Sequence, residues 1–445
     1  MVRKGIQGLT AQLKDALIVQ ALERRLQQAE QHEAYADLLP GDAAGIPEKF
    51  YRFHLHPGYQ QLRIMNDGGN RLGISNPFFK LHQGVAGATT SINGKEYINY
   101  ASYNYLGMSG HPAVAAAAKQ AIDQYGTSVS ASRPVSGERP IHRQLEKAIA
   151  EVYQVDDAVA FVSGHATNVS TIGYLFGPKD LVLHDELIHN SILQGIQLSG
   201  AKRLSFPHND HATLEQILKT QRHAFERVLV VLEGIYSMDG DYPDLPAFVA
   251  IKKRYRAFLM VDEAHSFGIM GEKGMGIREH FNLQGTDVDI WMGTLSKSLA
   301  GCGGYIAGET ALVEHLKFLA PGFLYSVGMP PSVAASSLAA LEQIQRDPEL
   351  TKTLKERGQL FLQLTREAGI DTGSSAGLAI IPAITGSSLK AVRLADRLFE
   401  QRINVQPIIY PAVPEKSARL RFFISCLHTE EQIRTTVARL AEAAS

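Results

Sequence analysis

The stretch "TLSKSLAGCGG", residues 294–304, sets Lys297 among small and hydroxyl-bearing residues, with Gly301, Gly303 and Gly304 just behind it. A solvated lysine needs no such setting, whereas an amine that forms a covalent bond in a confined pocket needs small neighbours to swing past. The glycines would let backbone pass close to a cofactor and to a twofold mate. "FLMVDEAHSFG" (258–268) runs four apolar residues into Asp262, with His265 shortly after. A carboxylate ending a buried strand is costly unless a cation faces it. A structural arginine and a protonated pyridine nitrogen are the two candidates. "AFVSGHATN" (160–168) ends an apolar run with Ser163, Gly164 and His165 and opens a helical stretch. The backbone N–H groups there form either an anion site or simply a capped turn.

"LVLHDELIHNS" (181–191) adds His189, and "VVLEGIYSMDGDYPDL" (230–245) adds Glu233, Ser237 and Asp239. A loop histidine and an acidic turn are each ordinary structural features when taken alone. The combination is not ordinary. A Schiff-base lysine, an acid for a pyridinium and a strand–Ser-Gly–helix cradle for phosphate together specify pyridoxal 5′-phosphate (PLP).

These residues must be brought together, and the apolar pattern says how. "DAVAFV" (157–162), "DLVLH" (180–184), "VLVVLEG" (228–234), "AFLMVDE" (257–263) and "DIWMG" (289–293) are short, nearly continuous apolar runs. Such runs predict strands buried on both faces, as in a parallel sheet. Helical periodicity between them ("ATLEQILKTQRHAF", "PAFVAIKKRYR") predicts crossover helices and an α/β layered domain. Ligands in such sheets bind beyond the carboxyl ends of the strands, where every residue named above falls.

From residue 331 the pattern changes to helices ("SVAASSLAALEQIQ", "ELTKTLKERGQLFLQLTREAG"), strand-like "GLAIIPAI" and "LRFFIS", and a last helix. The predicted domains are therefore an N-terminal helix and extended arm (1–96), a large PLP-binding domain (97–330) and a smaller α+β C-terminal domain (331–445). Within the first, leucines at helical spacing predict an amphipathic helix from 8 to about 31, and a Gly-, Pro- and His-rich tract over 32–90 reads as an extended arm.

The chain has 445 residues, and its 44 Lys+Arg against 45 Asp+Glu argue against a general nucleic-acid or membrane-surface binder. Two cysteines, Cys302 and Cys426, with no CxxC and no histidine cluster, point away from disulfides and from metal. A charged N-terminus without an apolar core, and no apolar run of the roughly 18 residues a bilayer requires, predict a soluble cytoplasmic protein.

The motifs "SYNYLG" (102–107), "SRPVSGERPIHRQLE" (132–146), "VSGHATN" (162–168), "DELIHNS" (185–191), "EGIYSMDGD" (233–241), "VDEAHSFG" (261–268), "GTLSK" (293–297) and "ARLRFFIS" (418–425) strongly resemble the α-oxoamine synthase family. The resemblance covers roughly residues 75–440. With "NPFF" and "YGTSVSASR" it lies closest to the type associated with polyketide synthases. It implies fold type I, the aspartate-aminotransferase-like fold, with a mostly parallel sheet in the large domain. It implies a PLP-dependent acyltransferase that condenses a small L-amino acid with an acyl-CoA or acyl-carrier-protein thioester, with loss of CO2. It also implies a homodimer whose active sites lie at the interface.

By the same resemblance, Lys297 would hold PLP and later take the Cα proton, while Asp262 would keep the pyridine nitrogen protonated. His189 would stack on the ring and His265 would bond its phenolic oxygen, with Glu233 and Ser237 close by. Ser163, Gly164, His165 and Thr294 would hold the phosphate, and Ser326 of "FLYSVG" would complete the phosphate site of the other subunit. Asn104 and Arg421 would bind the substrate, Arg421 through its carboxylate. Ser132 stands where glycine-specific members have threonine, which suggests room for alanine or serine. Ile409 and Tyr410 stand where some members have an arginine, so that arginine's role does not transfer. The alternatives are an aminotransferase of the same fold and a catalytically silent partner subunit.

Overall fold

The computed structural model describes residues 45–71, 73 and 75–444. The chain divides into two compact units, Met1–Asn76 and Pro77–Ser445. In the first, Pro57–Arg71 is an α-helix. The Gly- and His-rich tract read as an extended arm therefore carries a helix, opened by a proline whose missing N–H costs nothing in a first turn. The helix expected from residue 8 to about 31 lies outside the described residues.

The second unit is built on a seven-stranded sheet. Its strands are β1 (Asp157–Phe161), β2 (Leu181–Asp185), β3 (Lys202–Phe206), β4 (Val228–Glu233), β5 (Phe258–Asp262), β6 (Ile290–Thr294) and β7 (Gly304–Gly308). They lie in the order β1-β7-β6-β5-β4-β2-β3, with β7 alone running against the others. The apolar runs are strands because both faces are covered. Val228, Val230 and Leu232 join one core with Leu259, Val261 and Trp291. Leu229 and Val231 join a second core with Met260, Ile290 and Met292. This two-residue alternation, apolar on both sides, is the signature of a strand between two helical layers. Helix Gly164–Leu175 supplies Ile172 and helix Asn190–Ser199 supplies Ile192 and Ile196 to the second core. Leu214 and Leu218 of helix His211–Gln221 and Phe248 of helix Leu245–Tyr255 join the first.

Five strands fall where the sequence predicts them. β3 and β7 do not. β3 is a sheet edge whose Lys202 and Arg203 are exposed, so it lacks an apolar run. β7, "GYIAG", is bounded by glycines, which leaves too short an apolar run to stand out.

Beyond β7 the chain forms a three-stranded antiparallel sheet of Ile380–Ile384, Arg419–Phe423 and Gln406–Ile408, with Arg419–Phe423 in the middle. Its buried side chains, among them Ile380, Leu420 and Phe422, join the first core of the large sheet. The backbone N–H of Phe423 donates to the Tyr100 carbonyl at 3.0 Å. Those contacts bring Arg421 to the mouth of the large sheet.

Candidate active site

Cross-strand register sets the floor of the site. Glu233 and Asp262 are paired residues at the ends of β4 and β5, and Asp262 pairs with Met292 of β6. Two carboxylates therefore lie side by side below a cleft of about 340 Å³. Asp262 is buried, and its oxygens accept from Asn168 Nδ2 at 2.9 Å and from the Ala264 backbone N–H at 2.9 Å. Among the described residues neither donor is charged and no arginine pairs with it, an arrangement that suits a cationic group bound in the cleft. Glu233 accepts from the Ser237 N–H at 3.2 Å through Oε2, while its buried Oε1 has no partner. Burial, and then the charge of Asp262, hold the Glu233 carboxyl well above the usual range.

Asn168 also donates to Ser191 Oγ at 2.9 Å, and Ser191 Oγ lies 2.7 Å from His189 Nδ1. A chain Asp262–Asn168–Ser191–His189 thus fixes the imidazole against the cleft it lines. His189 caps the helix Asn190–Ser199, and burial lowers its pKa, so the ring is neutral. His265 is also held neutral by burial, with Lys297 and Arg421 adding to the effect. The Tyr105 hydroxyl takes up its Nδ1 at 2.9 Å, which leaves Nε2 for the cleft.

Lys297 enters from the turn after β6, with its amine 5.6 Å from the centre of the Tyr103 ring. Burial brings its pKa down to about 8, against the opposing pull of Asp262 and Glu233. On the far wall Arg421 donates to the Ser237 carbonyl at 2.9 Å and lies over the Phe423 ring, while its buried Nε is unpartnered. Opposite, Ser163 caps helix Gly164–Leu175 by accepting the Ala166 N–H, and Thr294 Oγ1 donates to the Gly303 carbonyl. A Cβ on Gly164 would come within 2.8 Å of Thr294 Oγ1, so the helix start lies open to the cleft only because residue 164 is glycine. The Gly303 and Gly304 positions abut Phe161 and Thr167 of the same chain. Close approach of the chain's own backbone accounts for these glycines.

The residues present fit PLP: a buried acid without an ion-pair partner among the described residues for the ring nitrogen, a capped helix start for the phosphate, an amine of lowered pKa and a guanidinium whose buried Nε is unpartnered. Ser163, Gly164, His165, His189, Glu233, Ser237, Asp262, His265, Thr294, Lys297 and Arg421 all line this cleft. Three expected residues do not. Asn104 lines an adjoining cavity of about 380 Å³ beyond Lys297, and its amide is occupied by the Ala86 carbonyl and the Ser109 N–H. Ser326 lies in a small crevice beside Arg133, and Ser132 is bridged to Val327. Asn168 and Ser191 escape a reading of the sequence, although both stand inside quoted motifs. Tyr103 and Met238, also in the lining, were equally silent.

This constellation on this sheet defines a PLP-dependent enzyme of fold type I. The sequence profile of the aminotransferase class I and II family matches residues 95–440. An 8-amino-7-oxononanoate synthase from Geobacter sulfurreducens is 40% identical over 361 residues, 80% of this chain and 91% of that one. The Treponema denticola 8-amino-7-oxononanoate synthase is 38% identical over 355 residues, 80% and 89% of the two chains. Among solved structures, the Sphingomonas wittichii serine palmitoyltransferase superposes with a TM-score of 0.83 at 31% identity, covering 87% of this chain and 98% of that one. The chain belongs to the aminotransferase class I and II family and, within it, to the PLP-dependent acyltransferases called α-oxoamine synthases.

Proposed function

We propose that the chain condenses a small L-amino acid (alanine, serine or glycine) with an acyl thioester on coenzyme A or an acyl-carrier protein. The products are an α-amino ketone, CO2 and the free thiol. The observation that carries this reading is the meeting of the Lys297 amine, the Asp262 carboxylate and the Arg421 guanidinium, its buried Nε unpartnered, around one cleft. PLP, when bound, supplies an electron sink for the carbanion at the substrate Cα. Arg421 holds the amino-acid carboxylate, and Lys297 takes the Cα proton. Asp262 would hold its negative charge toward the ring nitrogen, and His189 and His265, both neutral, would orient the group without adding charge. The new bond joins Cα to the thioester carbonyl carbon, and the C–S bond breaks with its electrons leaving on sulfur. The carboxylate then departs as CO2, its bonding pair returns to Cα, and a proton takes its place.

The cavity beyond Lys297, with Ser102, Asn104 and Ser109 in its wall, gives the thioester a polar approach beside the amine. A histidine, not a phenylalanine, tyrosine or tryptophan, at the expected ring-face position favours a synthase over an aminotransferase. We assign Ser326 and Ser132 to the site of a second copy in a homodimer. The exposed apolar side chains Val135, Tyr325 and Val327 around them suit burial there. Two free cysteines suit a reducing cytoplasm, and among the described residues no helix is long and apolar enough to cross a membrane.

The test pairs each amino acid with acyl-CoA and acyl-carrier-protein donors and measures CO2. Release that requires both substrates is expected. Amino-group transfer to an oxoacid without any thioester would overturn the reading in favour of an aminotransferase.

A further inference from the structure

Two loops frame the cleft on the β2 and β4 side. Inside it Ser191 holds His189, and Glu233 and Arg421 bond the Ser237 backbone, while a second set of bonds outside the lining joins the two loops to each other. β2 ends at Asp185, whose buried carboxylate accepts the backbone N–H groups of Leu187 at 2.9 Å and Asn209 at 2.7 Å. Leu187 stands two residues before His189, so Asp185 anchors the start of the loop that delivers that imidazole. The loop after β4 carries Ser237 and Met238 to the cleft and turns back through Asp241, whose carbonyl accepts the Tyr236 N–H at 2.9 Å.

His208, just beyond β3, stands between these loops without lining the cleft. Its Nδ1 lies 3.0 and 3.1 Å from the two oxygens of Asp185, and its Nε2 lies 2.8 Å from Asp241 Oδ2. A neutral imidazole has one N–H and one lone pair, so one of these carboxylates would face a lone pair. Both contacts are satisfied together only when both nitrogens are protonated. Burial opposes that charge, but the bonds to Asp185 and Asp241 outweigh it and take the pKa up to about 10. The Tyr236 ring packs edge-on against the imidazole at 4.4 Å, and Glu186 accepts the His208 backbone N–H at 3.0 Å. The Asn209 amide lies 3.2 Å from Nε2, and turning its otherwise unpartnered oxygen toward the ring adds another acceptor.

We propose that His208 is a positioning residue: as an imidazolium shared by Asp185 and Asp241, it ties the His189 loop to the Ser237 loop and fixes their spacing across the cofactor cleft. The proposal rests on the PLP reading of that cleft. It makes no claim that His208 touches cofactor or substrate.

The experiment compares wild type with His208→Gln, His208→Lys, Asp241→Ala and the double variant His208→Gln/Asp241→Ala. The readouts are the PLP dissociation constant, the induced circular dichroism of the bound PLP band, and the melting temperature of the apo protein. Glutamine can reach only one of the two carboxylates, whereas a lysine ammonium can donate to both. His208→Gln and Asp241→Ala are each expected to weaken PLP binding about tenfold or more and to reduce the induced dichroism. The double variant is expected to lose no more than either single one, because the tie is already cut. His208→Lys recovers most of the dichroism. Unchanged PLP affinity and dichroism in His208→Gln, with only a lower melting temperature, would overturn the proposal, and so would full additivity in the double variant. Should His208→Gln fail to fold, Asp241→Ala decides alone, since it cuts the same tie from the other loop. A wild-type protein that takes up no PLP refutes the cofactor reading itself, a result separate from any difference among the variants.

Discussion

An amine serves this chemistry only in its neutral form, and Lys297 is placed to reach that form close to neutrality. Burial opposes its charge more strongly than Asp262 and Glu233 favour it, which leaves the pKa at about 8 and not at 10.5. Below about 8 the amine of the apo protein is ammonium and cannot attack an aldehyde; above it the lone pair is free. Covalent capture of PLP by apo protein is therefore expected to accelerate through a midpoint near pH 8, read from the growth of visible absorbance. A midpoint near 10.5 would contradict the burial. Lys297→Ala should show no such band at any pH.

Asp262→Asn tests the neighbouring group. The substituted amide oxygen can keep the Ala264 N–H, and Asn168 can turn its free Oδ1 toward the new NH2, so folding changes little. What is lost is the negative charge that would face the ring nitrogen. Cα proton exchange should fall roughly 100-fold or more with the melting temperature nearly unchanged. Lys297 and Asp262 were legible in the sequence because charged residues beside apolar runs are conspicuous, whereas Arg421 came only through the family resemblance. Asn168 and Ser191 were not, because an amide and a hydroxyl acquire their role only from partners on other elements.

At the scale of elements, parallel pairing turns a linear sequence into a cleft. β2, β4, β5 and β6 all end on one side, so the residues following each converge without further design. The five buried strands could be read because they are apolar on both faces. β7 could not, since it is held by close approach: a Cβ at Gly304 would lie 2.8 Å from the Gly164 Cα. The same crowding makes Gly164 a sensitive position. Gly164→Ala pushes Thr294 away from the helix start and costs about 1–3 kcal/mol of packing. PLP affinity should drop about tenfold while the neighbouring substitution His165→Ala, whose ring bonds only Gln194 at the surface, changes it far less. Equal effects of the two would mean that the helix start does not hold the phosphate.

At the scale of the whole molecule, the placement of Ser326 and Ser132 outside the Lys297 cleft becomes informative. The two loops that carry them are joined: Ser132 is bridged to Val327, and the Gly328 N–H donates to the Ala131 carbonyl at 2.9 Å. Arg133 then braces the first loop by pairing with Glu138 and with the fully buried Glu146, which also takes Arg143 and Lys317. Such a network rigidifies a surface that lies outside the Lys297 cleft, as a surface offered to a second copy would require. Mixed dimers decide the matter. Lys297→Ala removes the amine, and Ser326→Asp places a charge that repels phosphate. If each site takes Lys297 from one chain and Ser326 from the other, a dimer of the two variants has one site with both defects and one with neither. Refolding an equal mixture should then restore about a quarter of wild-type activity from two inactive parents. If Ser326 serves only its own chain, every site in the mixture keeps a defect, and activity stays at the level of the parents.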